Sequence, residues 1–240
     1  EQDGLLSNKV KAIEKAGDSI FFAQDRGLSW FKDDSFKNYP GRSYQTLKYL
    51  SPYLYLGAMD GLYIFDLTQE TLTKLLDSNP VRAIEEGIFI ATTDGVLSYL
   101  NGTTTTIIGT ESDSLLLKDN LLYIGTHRDG LVICDTTTGS MTTMDIPSPI
   151  YCIAKSEAQG IYFGTEEGLY RGTEGLLSMP VYSITEQQGE LFLATDQGII
   201  RYNPETGQVI TYTSSNTPIP TNDINSSLAV YGDVWFGLVG

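Results

Sequence analysis

A single histidine, His127 in the turn "THRDG", is the one imidazole in this 240-residue chain, so any histidine-based metal site or Ser-His-Asp triad must be built on it. Its neighbours Arg128 and Asp129 make either a small binding cluster with it or an ordinary solvated turn. The strand-turn-helix signature Gly-x-Ser-x-Gly, the zinc pair His-Glu-x-x-His, Cys-x-x-Cys and a phosphate-cradling glycine loop do not occur. The expectation is a non-enzymatic protein with no cofactor. Carboxylates carry more meaning, because Asp60, Asp94, Asp129 and Glu167 each stand immediately before a turn glycine. Gathered on one face, they would form a ring able to hold Ca²⁺ or a hydroxyl-rich ligand. The other reading is turn chemistry, since Asp-Gly is a favourable turn pair in its own right. With the first strand of each repeat innermost, these turns share a face with the connections between repeats, and Arg26, Arg42, Tyr44, His127, Arg128, Glu166 and Gln197 lie there. Planar polar and aromatic side chains of this kind suit a sugar, and these seven are the candidate ligand-binding residues.

The elements that carry those turns repeat. "YLYLGAMDGLYIFD" (53–66), "LLYIGTHRDGLVICD" (121–135), "IYFGTEEGLYRG" (161–172) and "LFLATDQGIIRYN" (191–203) share one order of features: an alternating apolar run, a polar turn closed by glycine, a second apolar run. Two looser copies lie at 20–33 and 88–101. The closing glycines are Gly27, Gly61, Gly95, Gly130, Gly168 and Gly198, at spacings of 30 to 38 residues, a period typical of solenoids and propellers. Alternation with β-branched and aromatic residues predicts strands. Glycine at the turn supplies positive φ without a Cβ clash.

Before the turn motif stands another strand, as in "KVKAIEK" (9–15), "PVRAIEE" (80–86), "PIYCIAK" (149–155) and "PVYSITE" (180–186). Its pattern is Val or Ile, any residue, a small residue, then Ile, which suits an innermost strand where sheets converge. A more polar fourth strand follows at 35–40, 71–76, 140–145 and 208–213, as an edge facing water requires. Four antiparallel strands per repeat predict an all-β protein, a β-propeller with six full blades plus a partial seventh. The chain is read as a single domain over 1–240, its last blade (222–240) incomplete, to be finished by sequence beyond residue 240 or left as a half-blade.

Fifteen basic against 30 acidic residues give a net charge of -15, which repels nucleic acid and anionic membrane surfaces at long range. No apolar run reaches the roughly 18 residues of a bilayer span, and the first ten residues lack signal-peptide character. Cys134 and Cys152 lie inside apolar runs and read as two buried thiols, with a disulfide as the alternative. Asn101 and Asn225 head Asn-x-Ser/Thr sequons, which carry no meaning in a bacterial protein.

"DGLLSNKVKAIEKAGDSIFFAQDRGLSWFKDDSFKNY" (3–39) resembles the two-component regulator propeller repeat. Asp3, Gly4, Leu5, Ser7, Asn8 and Val10 match its opening. Phe163, Gly164, Thr165, Gly168 and Leu169 match its middle, and Tyr202 and Asn203 stand at its aromatic-Asp pair. Trp235 is the one tryptophan at the strand where the family favours it, and the opening is echoed only by "TNDINSS". The resemblance implies the periplasmic or extracellular sensor region of a bacterial hybrid histidine kinase, or a related surface protein. It implies partners that are a small polar ligand or oligosaccharide held on the pore face, or else another protein in a scaffolding role, with homodimerisation through a longer parent chain left open.

Overall fold

The structure, a computed structural model, describes residues 4–147, 149–156 and 160–238. Six sheets of four antiparallel strands, each in simple sequence order, follow one another along the chain. Blade 1 comprises β1 (Val10–Ala16), β2 (Ser19–Gln24), β3 (Gly27–Lys32) and β4 (Ser35–Pro40). Blade 2 is β5 (Tyr44–Leu50), β6 (Tyr53–Ala58), β7 (Gly61–Asp66) and β8 (Thr71–Asp77); blade 3 is β9 (Val81–Glu85), β10 (Phe89–Thr92), β11 (Gly95–Leu100) and β12 (Thr103–Ile108). Blade 4 is β13 (Ser112–Lys118), β14 (Leu121–Thr126), β15 (Leu131–Asp135) and β16 (Met141–Met144); blade 5 is β17 (Ile150–Ser156), β18 (Gly160–Thr165), β19 (Leu169–Arg171) and β20 (Glu174–Leu177). Blade 6 is β21 (Ser183–Gln187), β22 (Glu190–Thr195), β23 (Gly198–Tyr202) and β24 (Val209–Tyr212), and a two-stranded seventh sheet pairs β25 (Ile224–Val230) with β26 (Asp233–Leu238). The described residues form no helix. This is the expected propeller of six blades and a partial seventh. Asp3 of the opening motif and Gly240 lie outside the described residues.

Successive first strands lie against one another around the ring, from β1 through β5, β9, β13, β17 and β21 to β25, and β25 and β26 return to β1. Leucine, isoleucine and aromatic side chains fill the spaces between neighbouring blades, with Phe21, Leu54, Leu56, Phe65, Ile90, Ile124 and Tyr162 almost wholly buried. Each such side chain contributes about 1.5–3 kcal/mol on leaving water. At the joint between first and last sheets, Trp235 meets Phe22 and Phe31 at ring-centroid distances of 6.1 and 5.8 Å. The outermost strands are largely exposed, as expected of edges, although Leu72, Met141, Val209 and Ile210 show apolar side chains to solvent.

Why the chain can turn so tightly between second and third strands is visible at Gly95. Its φ is +135°, and a Cβ added there would lie 2.0 Å from the Ile108 carbonyl oxygen on the neighbouring edge strand. Gly61 and Gly198 are alike, at φ +136° and +116° with 2.1 and 2.2 Å to the Leu76 and Tyr212 oxygens. Four of these turns are also built on a buried threonine. Thr165 Oγ1 donates to the Gly168 carbonyl at 3.1 Å and accepts the Glu167 and Gly168 N–H groups at 3.1 and 3.0 Å; Thr92, Thr126 and Thr195 make the same donation to Gly95, Gly130 and Gly198. Thr165→Val keeps the shape and strands these partners, so we expect a stability loss of about 1–3 kcal/mol. Urea unfolding checks this, with Thr165→Ser expected to retain most of the stability; equal losses in both variants would point to packing and not the hydroxyl.

Candidate functional site

In six of the seven first strands the register against the second strand slips at one place. The slips fall between Val10 and Ala12, Tyr44 and Thr46, Val81 and Ala83, Ser112 and Ser114, Ile150 and Cys152, and Ile224 and Ser226. The residue passed over in each is the extra residue of a β-bulge, which lacks a ladder partner and has its side chain re-aimed. Those residues are Lys11, Gln45, Arg82, Asp113, Tyr151 and Asn225, and with Tyr182, just before β21, they line a central channel of about 340 Å³. The turns and the interblade connections meet on one face, as expected: the Gly41 N–H donates to the Arg26 carbonyl at 2.9 Å, and the His127 N–H to the Glu111 carbonyl at 2.9 Å.

One side of the channel is charged. At blades 3 and 4, Arg82 pairs with Glu111 at 2.7 Å and with Asp113, whose other oxygen holds His127 Nδ1 at 2.7 Å. At blade 1, Lys11 Nζ donates to Ser43 Oγ at 2.9 Å and Gln45 Oε1 at 3.1 Å. Burial lowers the pKa of that ammonium, while Asp25 acts in the opposite sense. Farther along the same strands Lys48 bridges to Glu85 at 2.8 Å. Burial opposes the Lys48 charge, but Glu85 and Glu14 outweigh it and its pKa rises. Glu14 Oε1 accepts the Tyr49 N–H at 3.0 Å. Burial nevertheless pushes Glu14 up to about 7, against the downward pull of that hydrogen bond and of Lys48 and with a further push from Glu85.

The other side is aromatic and hydroxylic. Tyr151 and Tyr182 set their rings 5.4 Å apart at 43°. Burial raises both phenols; Glu166 and Asp113 add to this at Tyr151, and Asp196, Asp223 and Glu166 at Tyr182. Beside them Ser227 Oγ lies 2.9 Å from Ser183 Oγ and 2.8 Å from Thr185 Oγ1, tying the seventh sheet to blade 6. The channel thus opposes an array of fixed donors and acceptors to a pair of aromatic rings, an arrangement able to hold a small polar molecule with one flat apolar face.

Of the candidate ligand residues, His127 enters this site through Asp113, and Glu166, exposed on its turn, acts electrostatically on both tyrosines without lining the channel. Arg26, Arg128 and Gln197 are exposed on their turns and are not among the channel-lining residues. Arg42 turns outward, pairing with Asp60 at 2.6 Å and lying 4.3 Å over the Tyr63 ring, in a groove between blades 1 and 2. Tyr44 departs from the expectation. It is 2% exposed and belongs to the core, because it fills the first-strand position that Val10, Val81 and Ile150 occupy elsewhere.

Two of the four turn carboxylates, Asp60 and Asp94, are employed locally, and Asp129 and Glu167 take part in their turns through the backbone. Hydrogen bonds from Tyr63, Arg42 and Lys74 overcome slight burial and hold Asp60 down at about 2, while Asp94 is bonded by Asn79. The Asp129 and Glu167 N–H groups donate to the turn threonines at 2.8 and 3.1 Å. Among the described residues no group of three or more His, Cys, Asp or Glu side chains could hold a metal ion. Both cysteines are free thiols, Cys134 buried and Cys152 half-buried, and burial pushes Cys152 up to about 12.

The bulge ring itself escaped the sequence reading, which saw "any residue" between Val/Ile and the small residue. The signal was present: that position holds Lys, Gln, Arg, Asp, Tyr, Tyr and Asn, with no aliphatic residue among them.

No family model and no curated protein matches the chain. Among solved structures, the fold is similar to the extracellular domain of the hybrid two-component system BT3049 from B. thetaiotaomicron (TM-score 0.86, 19% identity, 99% of this chain and 39% of that one). It is equally similar to the extracellular domain of the one-component system BT4673 from the same organism (TM-score 0.86, 18% identity, 98% and 38%). PorZ, a surface component of the type-IX secretion system of Porphyromonas gingivalis, matches at TM-score 0.67 and 15% identity over 96% of this chain and 35% of that one. The chain therefore spans less than two fifths of the length of these three relatives.

Proposed function

We propose that this propeller is a non-enzymatic, periplasmic or extracellular recognition module that takes a small polar ligand, of carbohydrate type, at the mouth of its central channel and relays occupancy to further domains. The observation that carries this reading is the bulge ring. Across the ring the same local distortion delivers a different polar or aromatic side chain to one cavity, a use of recurring geometry that packing alone does not require. A sugar would meet Arg82, Asp113 and His127 with its hydroxyls and the Tyr151–Tyr182 pair with its C–H face. Likeness to the extracellular domains of BT3049 and BT4673 supports the sensor role and the location. A second reading, a protein-interaction scaffold, is favoured by the apolar side chains exposed on the outer strands, Leu72, Met141, Val209 and Ile210.

A thermal-shift screen against an oligosaccharide library, followed by titration of any hit, tests the proposal. Ligand that binds the folded state raises its melting temperature. We expect Arg82→Ala to weaken the hit at least tenfold, with Arg128→Ala, on its exposed turn, close to wild type. A cooperatively folded sample that responds to no member of the library would transfer the reading to the scaffold.

A further inference from the structure

The channel is lined by three cations, Lys11, Lys48 and Arg82, all from blades 1 to 3, and Lys48 is held by Glu85. Lys11 reaches Ser43 and Gln45 of the blade 2 side, and Arg82 reaches Glu111 and Asp113 on the blade 4 side. On the remaining arc, blades 5 to 7, the ring residues, the second-to-third-strand turns through residue 198 and the interblade connections (145–151, 166–168, 178–182, 196–198, 213–225) hold no Lys or Arg at all. They hold Tyr151, Tyr182 and Asn225 in the channel lining, and Glu166, Asp196 and Asp223 close enough to act electrostatically on the two phenols.

Resting on the channel reading above, we infer that the ligand carries a positive charge, an ammonium group such as that of an amino sugar, seated against Tyr151 and Tyr182. Three features converge on this. Aromatic faces attract cations through their quadrupole, and these two rings line the channel side by side, their centroids 5.4 Å apart. This arc offers its carboxylates hydroxyl and amide donors but no cationic one, and an ammonium brings three N–H donors together with a positive charge. A net charge of -15 draws cations toward the molecule and repels anions. By the same logic a sulfated or uronic ligand would meet carboxylates along this arc.

The probe is glucosamine trisaccharide, compared at pH 5.5 with its fully N-acetylated form, which has the same ring framework without charge. We expect the charged form to bind at least tenfold tighter, and both Tyr182→Leu and Glu166→Gln to erase most of that difference. Asp33→Asn, in the tight turn before β4 and outside the channel lining, controls for unspecific attraction and should leave it unchanged. Equal or tighter binding of the acetylated form would overturn the charge assignment while leaving a sugar site in the channel. Preference for the charged form that ignores both variants but falls with Asp33→Asn would overturn it as surface attraction. Failure of both forms, together with failure of the whole library, would remove the channel reading as well.

Discussion

Gly95→Ala is expected to cost about 3–5 kcal/mol of unfolding free energy, among the largest effects available to a single methyl group. Two penalties add. The residue sits at φ +135°, outside the regions open to L-residues, and the new Cβ would stand 2.0 Å from the Ile108 carbonyl oxygen. That oxygen belongs to backbone at the end of β12, so relief requires the edge strand to move. Gly17→Ala separates the penalties, because Gly17 has φ +61° but nothing within 4 Å of an added methyl. It should lose only about 1–2 kcal/mol, the left-handed cost alone. Urea unfolding of both variants decides the matter: similar losses would mean that crowding at the turn has been overstated and that conformational freedom explains the glycine.

Wild-type stability should fall as pH rises from 5 to 8, and Glu14→Gln should remove much of that fall. The carboxyl of Glu14 is raised from its ordinary 4.5 to about 7. Between those values the folded protein binds a proton that the unfolded chain does not. The associated stability is therefore complete below about 4.5 and is lost as pH climbs through 7. The expected contribution is about 3 kcal/mol, less whatever Lys48 recovers by moving toward the ionised carboxylate. Glutamine keeps an oxygen for the Tyr49 N–H and leaves Lys48 with Glu85, so the variant should match wild type near pH 5 and exceed it by about 2–3 kcal/mol at pH 8. Other titrating groups are common to both proteins and cancel in the comparison. A pH-independent difference would show that Glu14 is ionised throughout.

The fold was legible because its demands are written in residues that admit few substitutes. Gly61, Gly95 and Gly198 answer a carbonyl oxygen that would lie about 2 Å from an added Cβ, and Thr92, Thr165 and Thr195 answer buried turn groups. Spacing alone then yields blades. The candidate site was only partly legible, since it depends on which way a side chain leaves a bulge, and the polar or aromatic residue at each bulge reads in sequence as one more variable strand position. His127 could be picked out as the chain's one imidazole, but its orienting partners Asp113 and Glu111 lie in β13 and the connection before it, a first strand reading "SDSLLLK" that lacks the usual Val or Ile. Tyr44 failed for the same reason from the other side: "RSYQT" resembles a polar connection, although its tyrosine fills a core position of β5.

The joint between β1 and the last sheet has a consequence for the order of assembly. Consecutive blades meet neighbours in sequence, but at this joint Ile13, Ile20 and Phe22 pack with Val230 and Trp235, and Tyr231 reaches the Gly17 carbonyl across 214 positions. Each earlier blade can fold onto its predecessor as it leaves the ribosome, whereas this joint waits for β26. It carries the longest-range contacts and so the steepest chain-entropy cost of closing, which places refolding in the slow regime of non-local β topologies, about milliseconds to seconds. In hydrogen exchange, β1, β25 and β26 should consequently lose protection together, as one unit that opens before the middle of the ring.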